Sequence, residues 1–127
     1  MIKTVQLGGL TVGAVPRVVG TLSTFAGLQG FLQLKRKSCD IAEARVDLLG
    51  PDTDWLRLCI QIGAASTPVL LTIRLAAEGG RWTRSEAERL KMIETALPHV
   101  AAIDVELRSE LSQTVSEPAR RAGIPVL

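Results

Sequence analysis

Apolar positions in this chain recur at a spacing of two in some stretches and at three to four in others, and the two patterns take turns. Residues 4–7 and 10–12 flank Gly8-Gly9, a two-residue hairpin signal, so a small antiparallel ribbon is expected to open the chain. After Pro16, residues 17–22 (RVVGTL) read as a buried strand. Residues 25–37 read as an amphipathic helix ending in positive charge, although Gly27 and Gly30 weaken it. A strand over 39–46 is followed by Gly50-Pro51-Asp52, a turn expected to cap a helix over 53–62. Pro68 introduces the clearest strand, 69–74 (VLLTIR), and Glu78-Gly79-Gly80 reads as a loop. Thr83 or Ser85 can cap a helix over 86–97, where Leu90, Ile93 and Leu97 recur at helical spacing before Pro98. Residues 100–107 form another strand, and a helix is expected between Ser109 and Ala122 despite Pro118. Gly123 serves as its C-cap, and a further strand begins at Ile124.

Strands alternating with helices in this way call for a parallel sheet covered by helices. Side chains two apart on a strand share a face. That rule puts Ile41, Glu43, Arg45 and Asp47 on one side, opposite Ala42, Ala44 and Val46. It likewise sets Leu70, Thr72 and Arg74 against Val69, Leu71 and Ile73, and Ala102, Asp104 and Glu106 against Ile103, Val105 and Leu107. The apolar sets pack under helices. The charged sets must face a barrel interior or a cleft, because a charge buried without a partner is costly. Their place at the carboxyl ends of strands is where (β/α) barrels build active sites. A purely structural ion-pair network remains the alternative.

Composition narrows the function classes. The 127 residues are 46% hydrophobic and 3% aromatic, which suits one globular domain with an aliphatic core. A net charge of +2 and one basic cluster, Lys35-Arg36-Lys37, without interleaved aromatics argue against nucleic acid as a partner. Cys39 and Cys59 lack metal-site spacing, so no metal is expected. No apolar run reaches membrane-spanning length and no leader pattern opens the chain, which makes the cytoplasm the expected compartment.

Four segments, taken together in order, resemble the type I 3-dehydroquinate dehydratase family. Glu43-Ala44-Arg45-Val46-Asp47-Leu48 resembles its E-x-R-x-D segment, and Thr72-Ile73-Arg74 with Glu78-Gly79-Gly80 resembles its T-x-R-x-x-x-E-G-G strand and loop. Ile103-Asp104-Val105-Glu106-Leu107 is similar to I-D-x-E-L, and residues 16–22 sit where the first barrel strand would. The opening hairpin matches the ribbon that closes that barrel's floor. The resemblance implies an α/β fold: the amino-terminal half of a parallel (β/α) barrel, with about four βα units and the start of a fifth strand. The whole chain would be one domain, with residues 1–14 as the floor and 16–127 as the βα units.

What the resemblance implies about chemistry is a lyase of the shikimate pathway. It converts 3-dehydroquinate to 3-dehydroshikimate through a Schiff base on lysine, without a cofactor. Glu43, Arg45 and Arg74 fall where that family grips substrate; Thr21, or Ser23 nearby, falls at its hydroxyl contact; Glu78 falls beside its catalytic histidine. Ala44 stands where many members carry a large aromatic. The lysine and the histidine themselves are expected beyond Leu127. His99 follows Pro98 at the wrong end of a strand, and Lys3, Lys35, Lys37 and Lys91 lie on the hairpin or on helices. The alternatives are a non-catalytic half barrel that binds a small carboxylate, or a structural remnant that assembles with itself. Two unpaired strand edges would favour a homodimer or a complementary carboxy-terminal half as partner.

Overall fold

The computed structural model of the chain describes residues 2–127. An antiparallel hairpin of β1 (Val5–Leu7) and β2 (Leu10–Val12) opens it, with Val5 opposite Val12 and the turn at Gly8 in the left-handed region, as the glycine pair demands. A four-stranded parallel sheet follows in sequence order: β3 (Val19–Leu22), β4 (Ile41–Arg45), β5 (Val69–Thr72) and β6 (Ala102–Asp104). The helices are α1 (Phe25–Gln33), α2 (Val46–Leu49), α3 (Trp55–Ala64), α4 (Glu86–Ala96), α5 (Leu111–Thr114) and α6 (Ser116–Ala122). Each crossover adds the next strand on the same edge, which builds a barrel wall. The chain end continues that wall: Leu127 N–H donates to the Ile103 carbonyl at 2.9 Å, and Ile103 N–H to that of Pro125 at 3.1 Å.

Strand parity falls as the sequence predicts except at Leu107, which lies beyond the end of β6 and is exposed instead of packing under a helix. Ala42, Ala44, Val46, Val69, Leu71, Ile73, Ile103 and Val105 belong to one core with Leu28, Leu58, Ile62 and Ile93 of the helices. The opposite face divides by height. Near the amino ends of the strands, Ile41, Leu70 and Ala102 form a separate apolar cluster with Leu7, against which Leu10 and Val12 pack, so the hairpin covers the floor. Two residues further along each strand the same face turns polar, with Glu43, Thr72 and Asp104. Burial of each aliphatic side chain contributes about 1.5–3 kcal/mol, so the apolar layers on either side of the polar row hold it in place.

Several elements are shorter than their patterns predict or shifted from them, each for a local reason. The helix expected over 25–37 ends at Gln33, because the Lys37 ammonium turns back to the carbonyls of Phe31 and Leu34 and serves the C-terminus that the helix would otherwise extend. The helix expected over 53–62 runs Trp55–Ala64 without a side-chain cap; Asp52, expected to cap it, pairs with Arg84 instead. Ser85, one of the two candidates, does cap α4 by accepting from Glu88 N–H at 3.1 Å. The segment 109–122 is two short helices, with Pro118 in the first turn of α6, where its missing donor costs little, and with Gly123 left-handed at its end.

Candidate functional site

Glu43, in the middle of the polar row, is the point at which three strands meet. Thr21 Oγ1 of β3 donates to its Oε1 at 2.8 Å, and Thr72 Oγ1 of β5 to its Oε2 at 2.7 Å. Of the two hydroxyls considered from sequence, Thr21 is the one engaged; Ser23 makes no side-chain hydrogen bond among the described residues. Ala44, one residue on from Glu43, points the other way into the helix layer.

Arg45, at the end of β4, lies against Asp47. Its Nε donates to Oδ1 at 3.0 Å and its Nη2 to Oδ2 at 2.8 Å, a two-pronged pair. The strand rule put Asp47 on the face of Glu43 and Arg45 by continuing β4 to it. The strand stops at Arg45, and the short α2 turn brings the carboxylate back to the guanidinium. Asp47 also accepts from the backbone N–H groups of Arg74 and Arg81, each at 3.1 Å, and its side chain is fully buried. Burial alone would push its carboxyl up; the bonds from Arg45 and from the two amides outweigh that and hold it below its ordinary value. The same bond to Asp47 holds Arg45 above its own.

Arg74 leaves β5 toward β6. Its Nη2 donates to Asp104 Oδ2 at 2.9 Å, and its Nη1 stands 3.5 Å from Glu106 Oε1. Glu106 in turn accepts from Leu75 N–H at 2.9 Å and from Arg89 Nη1 at 2.7 Å. Burial again raises this carboxyl and the donors more than reverse the effect, with Leu75 N–H and Arg89 the largest of them.

The segment between Arg74 and Trp82 is folded on itself. Ala76 N–H reaches the Trp82 carbonyl and Trp82 N–H reaches that of Arg74, both at 3.1 Å, and Gly80 N–H reaches Leu75 at 2.9 Å. A Cβ at Gly80 would lie 2.2 Å from the Arg74 carbonyl oxygen, so only glycine closes this loop. At its tip is Glu78, exposed, its N–H bonded to the Leu75 carbonyl at 3.0 Å and its carboxylate making no hydrogen bond or ion pair among the described residues. With Arg74, Glu106, Leu107 and Arg108 it lines an open cleft of about 320 Å³.

Thr21, Glu43, Arg45 and Arg74 are therefore brought together at the carboxyl ends of adjacent strands, with Glu78 at the rim. His99 lies at the opposite end, exposed beside Gly8 and Gly9 of the hairpin turn. Lys37 caps α1, and Lys91 is exposed on α4. Sequence reasoning missed Arg89, whose side chain is 1% exposed and crosses from the helix layer to Glu106. Its signal was position: Arg89, Ile93 and Ala96 share the stripe of α4 that is buried. Thr72 was placed on the correct face without a role.

With Arg108 of the cleft and Glu86, which pairs with Arg89, six acids (Glu43, Asp47, Glu78, Glu86, Asp104 and Glu106) confront four bases (Arg45, Arg74, Arg89 and Arg108). No group of three or more His, Cys, Asp and Glu among the described residues is arranged to hold a metal. No helix among them is long and apolar enough to cross a membrane.

Comparison with known proteins bears on the same segments. A 3-dehydroquinate dehydratase of Methanococcoides burtonii is 30% identical over 110 residues, 83% of this chain and 46% of that protein. One from Methanothrix thermoacetophila is 31% identical over 122 residues, 93% of this chain and 52% of that protein. The chain thus spans about half the length of the curated relatives it matches. A type I 3-dehydroquinate dehydratase of Clostridium difficile, solved with covalently modified comenic acid, superposes with a TM-score of 0.82 at 22% identity, over 99% of this chain and 55% of that one. The 3-dehydroquinate dehydratase of Aquifex aeolicus superposes with a TM-score of 0.71 at 25% identity, over 86% of this chain and 50% of that one. A family model described as Type I 3-dehydroquinase matches residues 18–127, the whole of the parallel sheet and its helices. The match spans the whole parallel sheet, and the chain belongs to the type I 3-dehydroquinase family.

Proposed function

We propose that this chain supplies the substrate-gripping wall of a 3-dehydroquinate dehydratase, a hydro-lyase that removes one water from 3-dehydroquinate. The observation that carries the reading is the convergence of Thr21, Glu43, Arg45 and Arg74 at the carboxyl ends of neighbouring strands, in the segments that resemble the family. Both arginines already spend donors on carboxylates: Arg45 uses Nε and Nη2 on Asp47, and Arg74 uses Nη2 on Asp104. Arg45 thereby commits its Nε–Nη2 edge and keeps the Nη1–Nη2 edge for a substrate carboxylate, whereas Arg74 turns Nη2 and Nη1 toward Asp104 and Glu106. The other remaining N–H groups, with the Glu43 carboxylate as acceptor, suit the hydroxyls of a polyol.

The excess of acid at this face favours a positively charged nitrogen opposite it. That is consistent with an incoming lysine that condenses with the substrate ketone, releasing one water and forming an iminium. Glu78, exposed at the rim, is suited to orient an incoming histidine and hold its tautomer. Lysine and histidine would both come from the rest of the barrel. The unit formed by the hairpin floor and the βα units folds as a single domain, and its interior face calls for a covering partner. Val5, Leu7, Val12, Val19, Ile41, Leu70 and Leu127 line an apolar cavity of about 570 Å³, and Val19 and Leu127 are exposed on the outer strands. The remaining strands of a barrel, or a second copy of the chain, would cover it.

The test is titration of the chain with 3-dehydroquinate, followed by NMR. Binding should shift Glu43, Arg45 and Arg74, and Arg74→Ala should weaken it by about tenfold or more; unchanged affinity would sink the assignment. Borohydride should trap an imine only when a carboxy-terminal half from a relative is added. Binding without any trapped imine in that mixture would favour a non-catalytic carboxylate-binding half barrel.

A further inference from the structure

The loop that carries Glu78 and the guanidinium of Arg45 share one buried anchor, the Asp47 carboxylate. Each of its oxygens takes one bond from Arg45 and one from the loop: Oδ1 from Arg45 Nε and Arg74 N–H, Oδ2 from Arg45 Nη2 and Arg81 N–H. An ion pair made only for stability would need Arg45 alone. The loop would also close without Asp47, since its own bonds between Ala76, Trp82, Arg74, Gly80 and Leu75 already join its ends. What the carboxylate adds is the location of that closed loop relative to β4. The cost of burying the charge is offset by four donors, which only the α2 turn can bring together.

We propose that Asp47 is a positioning residue. Through Arg45 and the amides of Arg74 and Arg81 it sets the strand-end guanidinium and the Glu78 loop at one fixed separation. The proposal rests on the ligand reading above for its functional meaning and on the hydrogen bonds alone for its geometry. Asparagine at this position keeps one acceptor oxygen and turns an NH₂ toward groups that are all donors, so Asp47→Asn cannot serve both the arginine and the two amides.

The experiment measures amide hydrogen exchange, the unfolding midpoint and 3-dehydroquinate affinity in the full chain and in Asp47→Asn. Asp52→Asn, which breaks the exposed pair with Arg84, is the control. In Asp47→Asn the Arg74 and Arg81 amides should exchange about tenfold faster or more, while Ala44 and Leu71 in the sheet keep their protection and affinity falls about tenfold. The control should change neither. Unchanged exchange at both loop amides would overturn the proposal, and so would a loosened loop with undiminished affinity. If the variant fails to fold, the native chain decides: Arg74 and Arg81 amides held by one carboxylate must open together, and unrelated rates would refute the shared anchor. If the native chain binds no 3-dehydroquinate, the ligand reading fails by itself, and the exchange comparison still decides whether Asp47 places the loop.

Discussion

Arg89 of α4 and Glu106 just past β6 form an ion pair at 2.7 Å, with side-chain exposures of 1% and 5%. The same guanidinium donates to the Ile73 carbonyl at 2.9 Å and to Glu86 at 2.7 Å. A chain of charges thus runs from the helix layer through Glu106 to Arg74 and Asp104 at the polar row. Arg89→Ala would leave Glu106 buried beside one fewer cation and should destabilise the fold by about 3–5 kcal/mol. Arg89 Nε and Glu86 Oε1 have no partner among the described residues, so the network is not fully satisfied. The double change Arg89→Met with Glu106→Gln should therefore cost less than Arg89→Ala. Urea denaturation of the two variants measures the difference, and a larger loss in the double variant would show that the pair is not coupled.

Acid should loosen the site before it affects the apolar core. Asp47 and Glu106 both titrate below their ordinary values of 3.8 and 4.5 in the folded chain. A folded pKa below the unfolded one means that the stabilisation is complete above the ordinary value and lost as pH falls through the folded one. The urea midpoint should be insensitive to these two groups between pH 5 and 8 (roughly the range over which both states are ionised) and should fall below about pH 4. Asp47→Asn should flatten the acid limb. A midpoint that rises on acidification would contradict the assignment.

Gly80→Ala tests the closed loop from the other side. Its methyl would meet the Arg74 carbonyl oxygen, a backbone atom that cannot swing away. A loss of about 1–3 kcal/mol is expected, together with a displaced Arg74. Thermal melts and a backbone NMR comparison would detect both, and a neutral substitution would mean that the loop has room to shift.

Cys59 should behave as an inert core thiol. Burial pushes its pKa up to about 12, and the residue is 0% exposed. A thiol reagent at pH 8 should leave Cys59 unmodified until the chain unfolds; labelling of Cys59 in native buffer would show that α3 opens.

The strand rule located the polar row because each of β4, β5 and β6 places its apolar residues under helices, which leaves only one face for Glu43, Thr72 and Asp104. It overreached where a strand ended early. Arg74 and Glu106 lie beyond their strands, and Asp47 reaches Arg45 through a helical turn, so spacing predicted their neighbourhood but not their bonds. Arg89 was hidden for a different reason. A charged residue on an amphipathic helix is normally solvated, and only its partner two elements later, Glu106, accounts for its burial. Lys37 shows the same limit at smaller scale, since a basic residue after a helix can extend it or fold back and stop it.

Glu43 has a further consequence as an alignment pin. Its two oxygens are held by hydroxyls from the strands on either side, Thr21 and Thr72. A one-residue slip of β3 would bring Gly20 or Leu22 to that place, and neither carries a donor side chain. The carboxylate proposed to meet a ligand therefore also rewards one relative placement of three strands, so a mispaired wall would arrive with its acceptor already misdirected. Correct assembly and the proposed binding face depend on the same carboxylate.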